Sequence, residues 1–238
     1  MTKQSLMPID PYNITDFDRN SNDKELFLIF CIAVAGRSSV PIAAKVNRMF
    51  DITKDCMPDK LPDNSTETMK WSAALMRTYL NEGMSPFGCI GALCDEKCLG
   101  SFLELHSLGQ YSRISKALRQ LTRTRGGLHV IDRVTVDELI KYDGIGPKTA
   151  RFFILHSFPN QKLAVLDTHI LRHISEYVEL SLQHRVGKFN VPRTTPQAEN
   201  EYKFWEIFWL GLCKANGKDP ALYDLEVWKN KGGDAYAA

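Results

Sequence analysis

Apolar residues recur along this chain at helical spacing almost from end to end. Asp23 to Ala35 is nearly continuous apolar sequence after its first turn, the pattern of a helix buried on every side. Val40 to Phe50 follows, with Pro41 placed for a first helical turn and Ile42, Val46 and Phe50 at helical intervals. Thr66 to Asn81 repeats the spacing through Trp71, Leu75, Met76 and Tyr79. Between these helices, Asp51 to Asn64 holds two prolines and several aspartates and reads as loop. Tyr111 to Arg125 is a basic amphipathic helix stopped by Gly126-Gly127.

The second half continues in the same period. Thr135-Val136-Asp137-Glu138 is a capping box that starts a short helix with Leu139 and Ile140. A helix beginning at Pro147 carries Phe152, Phe153 and Leu155, and Asp167-Thr168-His169 opens another with Ile170, Leu171 and Ile174 on its apolar face. Beyond a loop from Gly187 to Pro196, a long aromatic helix holds Tyr202, Trp205, Phe208 and Trp209. Asp219-Pro220 supplies an N-cap and first-turn proline for the last helix, which runs to Trp228. No stretch alternates at period two, and the chain contains no internal repeat. The predicted fold class is all-α.

Composition narrows the class further. The 238 residues fit one large domain or two lobes, at about 100–200 residues per domain. With 44% apolar and 24% charged residues, the chain is globular rather than disordered. Thirty basic against twenty-eight acidic residues leave a net charge of +2, which excludes a polycation. Any nucleic-acid binding must therefore come from local clustering of charge. The longest apolar run, Leu26 to Ala35, spans ten residues, about half of a membrane helix. Met1 to Tyr12 lacks the basic-then-apolar order of a secretory leader. The expectation is a soluble cytoplasmic protein without a membrane partner.

Six cysteines do not form a disulfide framework in a cytosolic chain of this length. Cys89, Cys94 and Cys98 cluster, with His106 following, and clustered thiolates suit soft metals. The paired CxxC knuckle and a nearby fourth cysteine are missing, so buried, inert thiols are the preferred reading and no metal is expected.

The most informative segment is Tyr142-Asp143-Gly144-Ile145-Gly146-Pro147-Lys148-Thr149-Ala150. It sets two glycines around an apolar anchor between two short helices. Glycine permits the positive φ and close backbone approach of a tight hairpin. It also leaves amides bare at the N-terminus of the second helix, where the dipole favours an anion such as a DNA phosphate. Nineteen residues past Lys148, Asp167 begins a helix in Val165-Leu166-Asp167-Thr168-His169.

Together these motifs, in this order and spacing, resemble the helix-hairpin-helix (HhH-GPD) superfamily of base-excision DNA glycosylases, which includes endonuclease III and 8-oxoguanine glycosylase. The resemblance extends less specifically to the buried helix Asp23–Ala35 and its following turn. It implies a two-lobed all-α fold. A central lobe over 23–158 would carry the helix-hairpin-helix at about 135–157. A second lobe of 1–22 plus 160–238 would carry the catalytic aspartate, facing Lys148 across a cleft. It further implies a monomer that binds double-stranded DNA containing a modified base. Only Cys213 falls where many relatives carry a four-cysteine iron–sulfur loop, so no cluster is expected.

The resemblance assigns Lys148 as the lysine of bifunctional glycosylase/lyases. The helix N-terminus disfavours its ammonium form, and a neutral amine can attack C1′ to form a Schiff base that permits β-elimination. Asp167 supplies a carboxylate to stabilise the oxocarbenium-like sugar or deprotonate the nucleophile. Gly144, Ile145, Gly146 and Thr149 are assigned to the DNA backbone. Arg37, with Ser38, is assigned to the duplex space left by a flipped nucleotide, because fillers in this superfamily often follow the first buried helix. Phe152, one turn after Lys148, His169 and Trp205 are the candidates for a base pocket. Arg113, Lys116, Arg119, Arg123 and Arg125 form a basic face with a capacity for phosphate contacts.

The implied activity is excision of a modified base with associated lyase chemistry, an oxidised purine such as 8-oxoguanine being the first substrate. Hypermodified phage bases such as glucosylated hydroxymethylcytosine are a second choice, in antiviral defence. Two rivals are a non-catalytic helix-hairpin-helix DNA-binding module and a base-modifying enzyme on the same fold.

Overall fold

The computed structural model describes residues 6–50, 65–123, 131–182 and 190–233. Among these residues the regular structure is all helical. The loop expected over Asp51–Asn64, the stop at Gly126-Gly127, Arg125, Cys56 and the first part of the Gly187–Pro196 loop lie outside them. The chain divides into two compact units, Met1–Pro11 with Asp18–Gly146, and Tyr12–Phe17 with Pro147–Ala238.

The first unit is built around α1 (Ser21–Val34), whose residues Leu26 to Ala33 are all buried. A continuous apolar run can be satisfied only by neighbours on every side. Those neighbours are α2 (Ser39–Met49), α4 (Pro86–Asp95) and α6 (Tyr111–Arg123), with α3 (Glu67–Asn81) and α5 (Leu99–Leu105) packed beyond α4. Two carboxyl groups near the start of α1, Asp23 and Glu25, are buried too, and each accepts a backbone amide. Asp23 accepts from the Met7 amide at 2.8 Å and from Asn20 Nδ2 at 2.6 Å. Glu25 accepts from the Phe87 amide at 2.8 Å, closing the first turn of α4. Burial is the main cause that pushes the Glu25 carboxyl up from its ordinary range.

Helix α6 buries Ile114, Ala117, Leu118 and Leu121, the apolar face that its pattern predicts. The expected capping box forms at α7 (Val136–Leu139): Thr135 Oγ1 accepts from the Glu138 amide at 3.3 Å, and Glu138 accepts from the Thr135 amide at 2.8 Å. Trp71, placed by its spacing among the apolar positions of α3, is 46% exposed. Ser72, Ala73, Met76 and Leu80 make the buried face of that helix instead.

The second unit holds α8 (Pro147–Ser157), α9 (Thr168–Leu182), α10 (Glu199–Ala215) and α11 (Pro220–Trp228), followed by a π turn at Lys229–Gly233. Its core joins Leu166, Ile170, Leu171 and Ile174 to Tyr202, Trp205, Trp209 and Tyr223. Trp209 stacks on Tyr223 at 4.9 Å. A smaller cluster of Leu155, Val165 and Ala221, flanked by Phe17 and Phe152, ties α8 into the same unit. That packing accounts for where the chain divides. The boundary falls at Gly146–Pro147, inside the hairpin, whereas the sequence placed it after Phe158.

Candidate active site

In the first unit, Gly144 adopts φ +88°, the left-handed conformation that its place in the hairpin demanded. Its carbonyl accepts from Arg113 Nη1 at 3.0 Å, and Arg113 Nη2 donates to the Ile32 carbonyl at 2.7 Å. One guanidinium therefore staples the hairpin to the last turn of α1. Ile145 is buried and Gly146 is exposed, so the anchor points inward and the backbone beyond it faces solvent.

This use of Arg113 changes the basic face read from the sequence. Lys116 is occupied as well, pairing with Asp143 at 2.9 Å. Arg119 and Arg123 remain on α6, and Arg125 lies outside the described residues. Arg37, assigned as a duplex filler, donates through Nη2 to the Ala33 carbonyl, and its Nε is buried without a partner among the described residues. The side chain thus folds back over the end of α1. Burial, then the neighbouring Arg113 charge, lower its pKa. Ser38 stands before α2 without a capping bond, and its Oγ is buried and has no partner among the described residues.

The catalytic candidates lie together in the second unit. Lys148 occupies the first turn of α8, half-buried, with no ion pair or hydrogen bond among the described residues. Its neighbour Thr149 is 7% exposed, which leaves its backbone rather than its hydroxyl for a phosphate. Asp167 immediately precedes α9, and its Oδ1 accepts from the amides of His169 at 2.8 Å and Ile170 at 2.9 Å. The cap fixes the carboxylate in orientation and leaves Oδ2 for chemistry. Its placement matches the reading of Asp167-Thr168-His169 as a helix start.

Helix α10 holds the backbone leading into Asp167. Tyr202 donates to the Ala164 carbonyl at 2.9 Å and accepts from the Leu166 amide at 3.2 Å. Glu206 accepts from the Ala164 amide at 3.0 Å and from Arg151 Nε at 2.9 Å. Arg151, one turn after Lys148, is 5% exposed and lies 4.3 Å over the Tyr202 ring. Thr195 closes the clamp by donating to the Leu166 carbonyl at 2.8 Å. Through Arg151, Tyr202 and Glu206, the helix bearing Lys148 and the segment ending at Asp167 share one polar lock. The sequence signal for it is an arginine within the apolar run Ala150–Leu155.

A second buried chain runs beside them. Thr15 Oγ1 lies 2.8 Å from His156 Nδ1, and His156 Nε2 lies 3.3 Å from Asp224 Oδ2. His156 is fully buried and Asp224 is 6% exposed. Burial above all raises the Asp224 carboxyl from its ordinary value; His156 and Lys148 pull it down, and Asp167 pushes it up. None of these three residues was singled out in the sequence. Asp224 in particular lies between Tyr223 and Leu225 on the buried side of its helix.

The base-pocket candidates separate. Phe152 is half-buried and meets His156 edge-on at 5.1 Å, close to the smaller cluster. His169 is half-buried, and its Nδ1 has no partner among the described residues. Trp205 is instead a core residue: it is 4% exposed and packs edge-on against Phe204 and Phe208. Helical periodicity marks an aromatic face without telling a core wall from a pocket wall.

The clustered cysteines are buried and unpaired by disulfide, and Cys89 is pushed up to about 12, chiefly by burial. Among the described residues no group of three His, Cys, Asp or Glu side chains is disposed to hold a metal ion. No helix among them is long and apolar enough to cross a membrane. Comparison with protein-family models, with curated proteins and with solved structures finds no match for this chain.

Proposed function

We propose that the chain is a DNA N-glycosylase that excises a modified base and nicks the resulting abasic site through a lysine imine. The observation that carries the proposal is the pairing in one compact unit of Lys148 and Asp167. The lysine is half-buried and makes no ion pair among the described residues, and the aspartate is oriented by two amides. An unpaired lysine is the form a nucleophile needs, since a salt bridge would hold its proton and lone pair. The hairpin glycines add backbone suited to a phosphate, which grips DNA without reading sequence.

In this reading the target nucleotide is flipped from the duplex and the base–sugar bond breaks. The base leaves with the bonding pair, and positive charge develops at C1′, where the Asp167 carboxylate stabilises it. Neutral Lys148 Nζ donates its lone pair to C1′ and loses its proton, and ring opening gives the imine. Loss of the C2′ proton then expels the 3′ phosphate by β-elimination. An oxidised purine such as 8-oxoguanine is the first substrate, and a hypermodified cytosine the second.

Borohydride trapping tests the proposal on duplexes carrying 8-oxoguanine, uracil, thymine glycol, hydroxymethylcytosine, glucosylated hydroxymethylcytosine or an abasic site. The expected result is a covalent adduct lost in Lys148→Gln and weakened in Asp167→Asn, and the base that gives it names the substrate. Alkali-labile breaks without an adduct would assign excision to Asp167 alone. Duplex binding with neither adduct nor break would overturn excision in favour of a DNA-binding module.

A further inference from the structure

From Thr149 to Ser157, α8 is buried at every position but one. The exception is Phe152, half-buried, four residues after Lys148 and four before His156. Residues four apart share a face of a helix, so lysine, phenyl and imidazole stand in one row along α8. At the far end of the row His156 is fully buried. It meets the Phe152 ring edge-on, with centroids 5.1 Å apart and planes at 75°.

An apolar side chain would fill the same space without nitrogens to satisfy. In His156 both nitrogens have partners: Thr15 Oγ1 lies 2.8 Å from Nδ1, and Asp224 Oδ2 lies 3.3 Å from Nε2. Two partners fix the plane of the imidazole, where one would let it pivot. The chain around Thr15 is fastened to the same residue, the Asp16 amide donating to the His156 carbonyl at 3.2 Å. Phe17 and Phe152 both pack against the cluster of Leu155, Val165 and Ala221. The stretch Tyr12–Phe17, remote in sequence, thus joins the second unit beside Phe152.

We propose that His156 is a positioning residue for the base pocket: held at both nitrogens, its ring fixes the orientation of Phe152, on whose accessible side a flipped planar base stacks beside Lys148. The inference rests on the glycosylase reading for the identity of the stacked group. The fixing of Phe152 by His156 and Thr15 is a property of the free protein. Stacking needs only a planar face, so Phe152 governs how tightly a base is held rather than which polar edge it shows. Loosening the ring should therefore raise KM and leave kcat unchanged.

Substitution of His156 would open the core, so the test acts at Thr15, which is half-buried. Thr15→Val is nearly isosteric and removes one of the two partners, leaving the imidazole to pivot about Asp224; Thr15→Ser keeps the hydroxyl. In protein labelled with 3-fluorophenylalanine, the fluorine-19 signal of Phe152 is identified by its loss in Phe152→Leu. Exchange of that signal between the two ring-edge positions gives the flip rate without any substrate. The rate should rise about tenfold in Thr15→Val, as for one hydrogen bond lost from the barrier, and keep its wild-type value in Thr15→Ser. On the duplex that gives an imine adduct, Thr15→Val should raise KM about tenfold with kcat unchanged, and should add nothing in a Phe152→Leu background. Equal flip rates in wild type and Thr15→Val would overturn the proposal. So would a fall in kcat at unchanged KM, or a Thr15→Val effect that persists in full without Phe152. A faster flip with no adduct on any duplex upholds the positioning and refutes the glycosylase reading. An adduct with equal flip rates upholds the glycosylase and refutes the positioning.

Discussion

The two hairpin glycines serve different ends, and replacing each with alanine should separate them. At Gly144 an added Cβ would sit 3.0 Å from the Arg113 carbonyl oxygen, 3.1 Å from Arg113 Cγ and 3.4 Å from Ala117 Cβ. The nearest of these is backbone, so relief requires the hairpin and α6 to part. Crowding of this kind costs about 1–3 kcal/mol. Holding alanine at φ +88° adds about 1–2 kcal/mol. The stiffer unfolded chain returns about 0.4–1 kcal/mol. The net expectation for Gly144→Ala is a loss of about 2–4 kcal/mol, partly through strain on the Arg113 staple to Gly144 and Ile32. Gly146 lies outside the left-handed region, and a Cβ there meets nothing within 4 Å. Gly146→Ala should therefore hold or raise stability by up to about 1 kcal/mol.

Scanning calorimetry checks the pair. At about 2–4 °C per kcal/mol for a chain of this size, Gly144→Ala should lower the transition of the first unit by about 5–15 °C. Gly146→Ala should leave it unchanged or slightly raised. Equal midpoints for the two variants would refute the argument that Gly144 is required by conformation and contact. Binding to an undamaged duplex adds a functional arm. If the exposed backbone at Gly146 approaches a phosphate, Gly146→Ala should weaken affinity while leaving stability intact.

Two further expectations concern buried polar groups. Glu206→Leu removes the acceptor shared by Arg151 Nε and the Ala164 amide, and should cost about 3–5 kcal/mol by urea denaturation. Glu206→Gln keeps an oxygen for the amide and should cost less. Equal losses in the two variants would show that the Arg151 charge is indifferent to its partner. His106 is the second case. Burial first, then the Arg48 charge, lowers its pKa from 6.5 to about 4. The folded protein thus resists a proton that the unfolded chain takes up, and stability present above pH 6.5 drains as pH falls towards about 4, by at most about 3 kcal/mol. His106→Phe, which keeps a ring against Phe102, should flatten that acid limb; an unaltered slope would exclude His106 as its source.

Periodicity was a sound guide wherever a residue's fate depends on its own chemistry. The run Leu26–Ala33 is buried because nothing in it tolerates water, and Thr135 caps α7 because its hydroxyl reaches three residues on. The left-handed turn at Gly144 and the N-cap at Asp167 are local in the same sense. What escaped the sequence depends on partners far along the chain. Arg113 was counted as a surface cation, but two distant carbonyls claim it. Trp205 and Trp71 share an aromatic identity and differ in which neighbours α10 and α3 meet. The chain divides inside the hairpin, not after Phe158, because Leu155 of α8 packs with Val165 and Ala221.

That division alters what fixes the geometry of the two catalytic candidates. Residues expected on opposite lobes would depend on how the lobes meet. Here Lys148 and Asp167 belong to one unit, and the spacing between them is set by α10. Tyr202 holds both flanks of Val165, while Glu206 bonds the Ala164 amide and the arginine one turn beyond Lys148. A register change in α10 would therefore displace Asp167 relative to Lys148 even with both motifs intact. Proximity chemistry is steeply sensitive to such displacement, a misplacement of about 1 Å costing on the order of a hundredfold in rate. Tyr202→Phe removes the hydroxyl that bonds both Ala164 and Leu166 while keeping the ring under Arg151. Loss of trapping in that variant, with its fold retained, would locate the precision of the site in α10 rather than in the motifs that announce it.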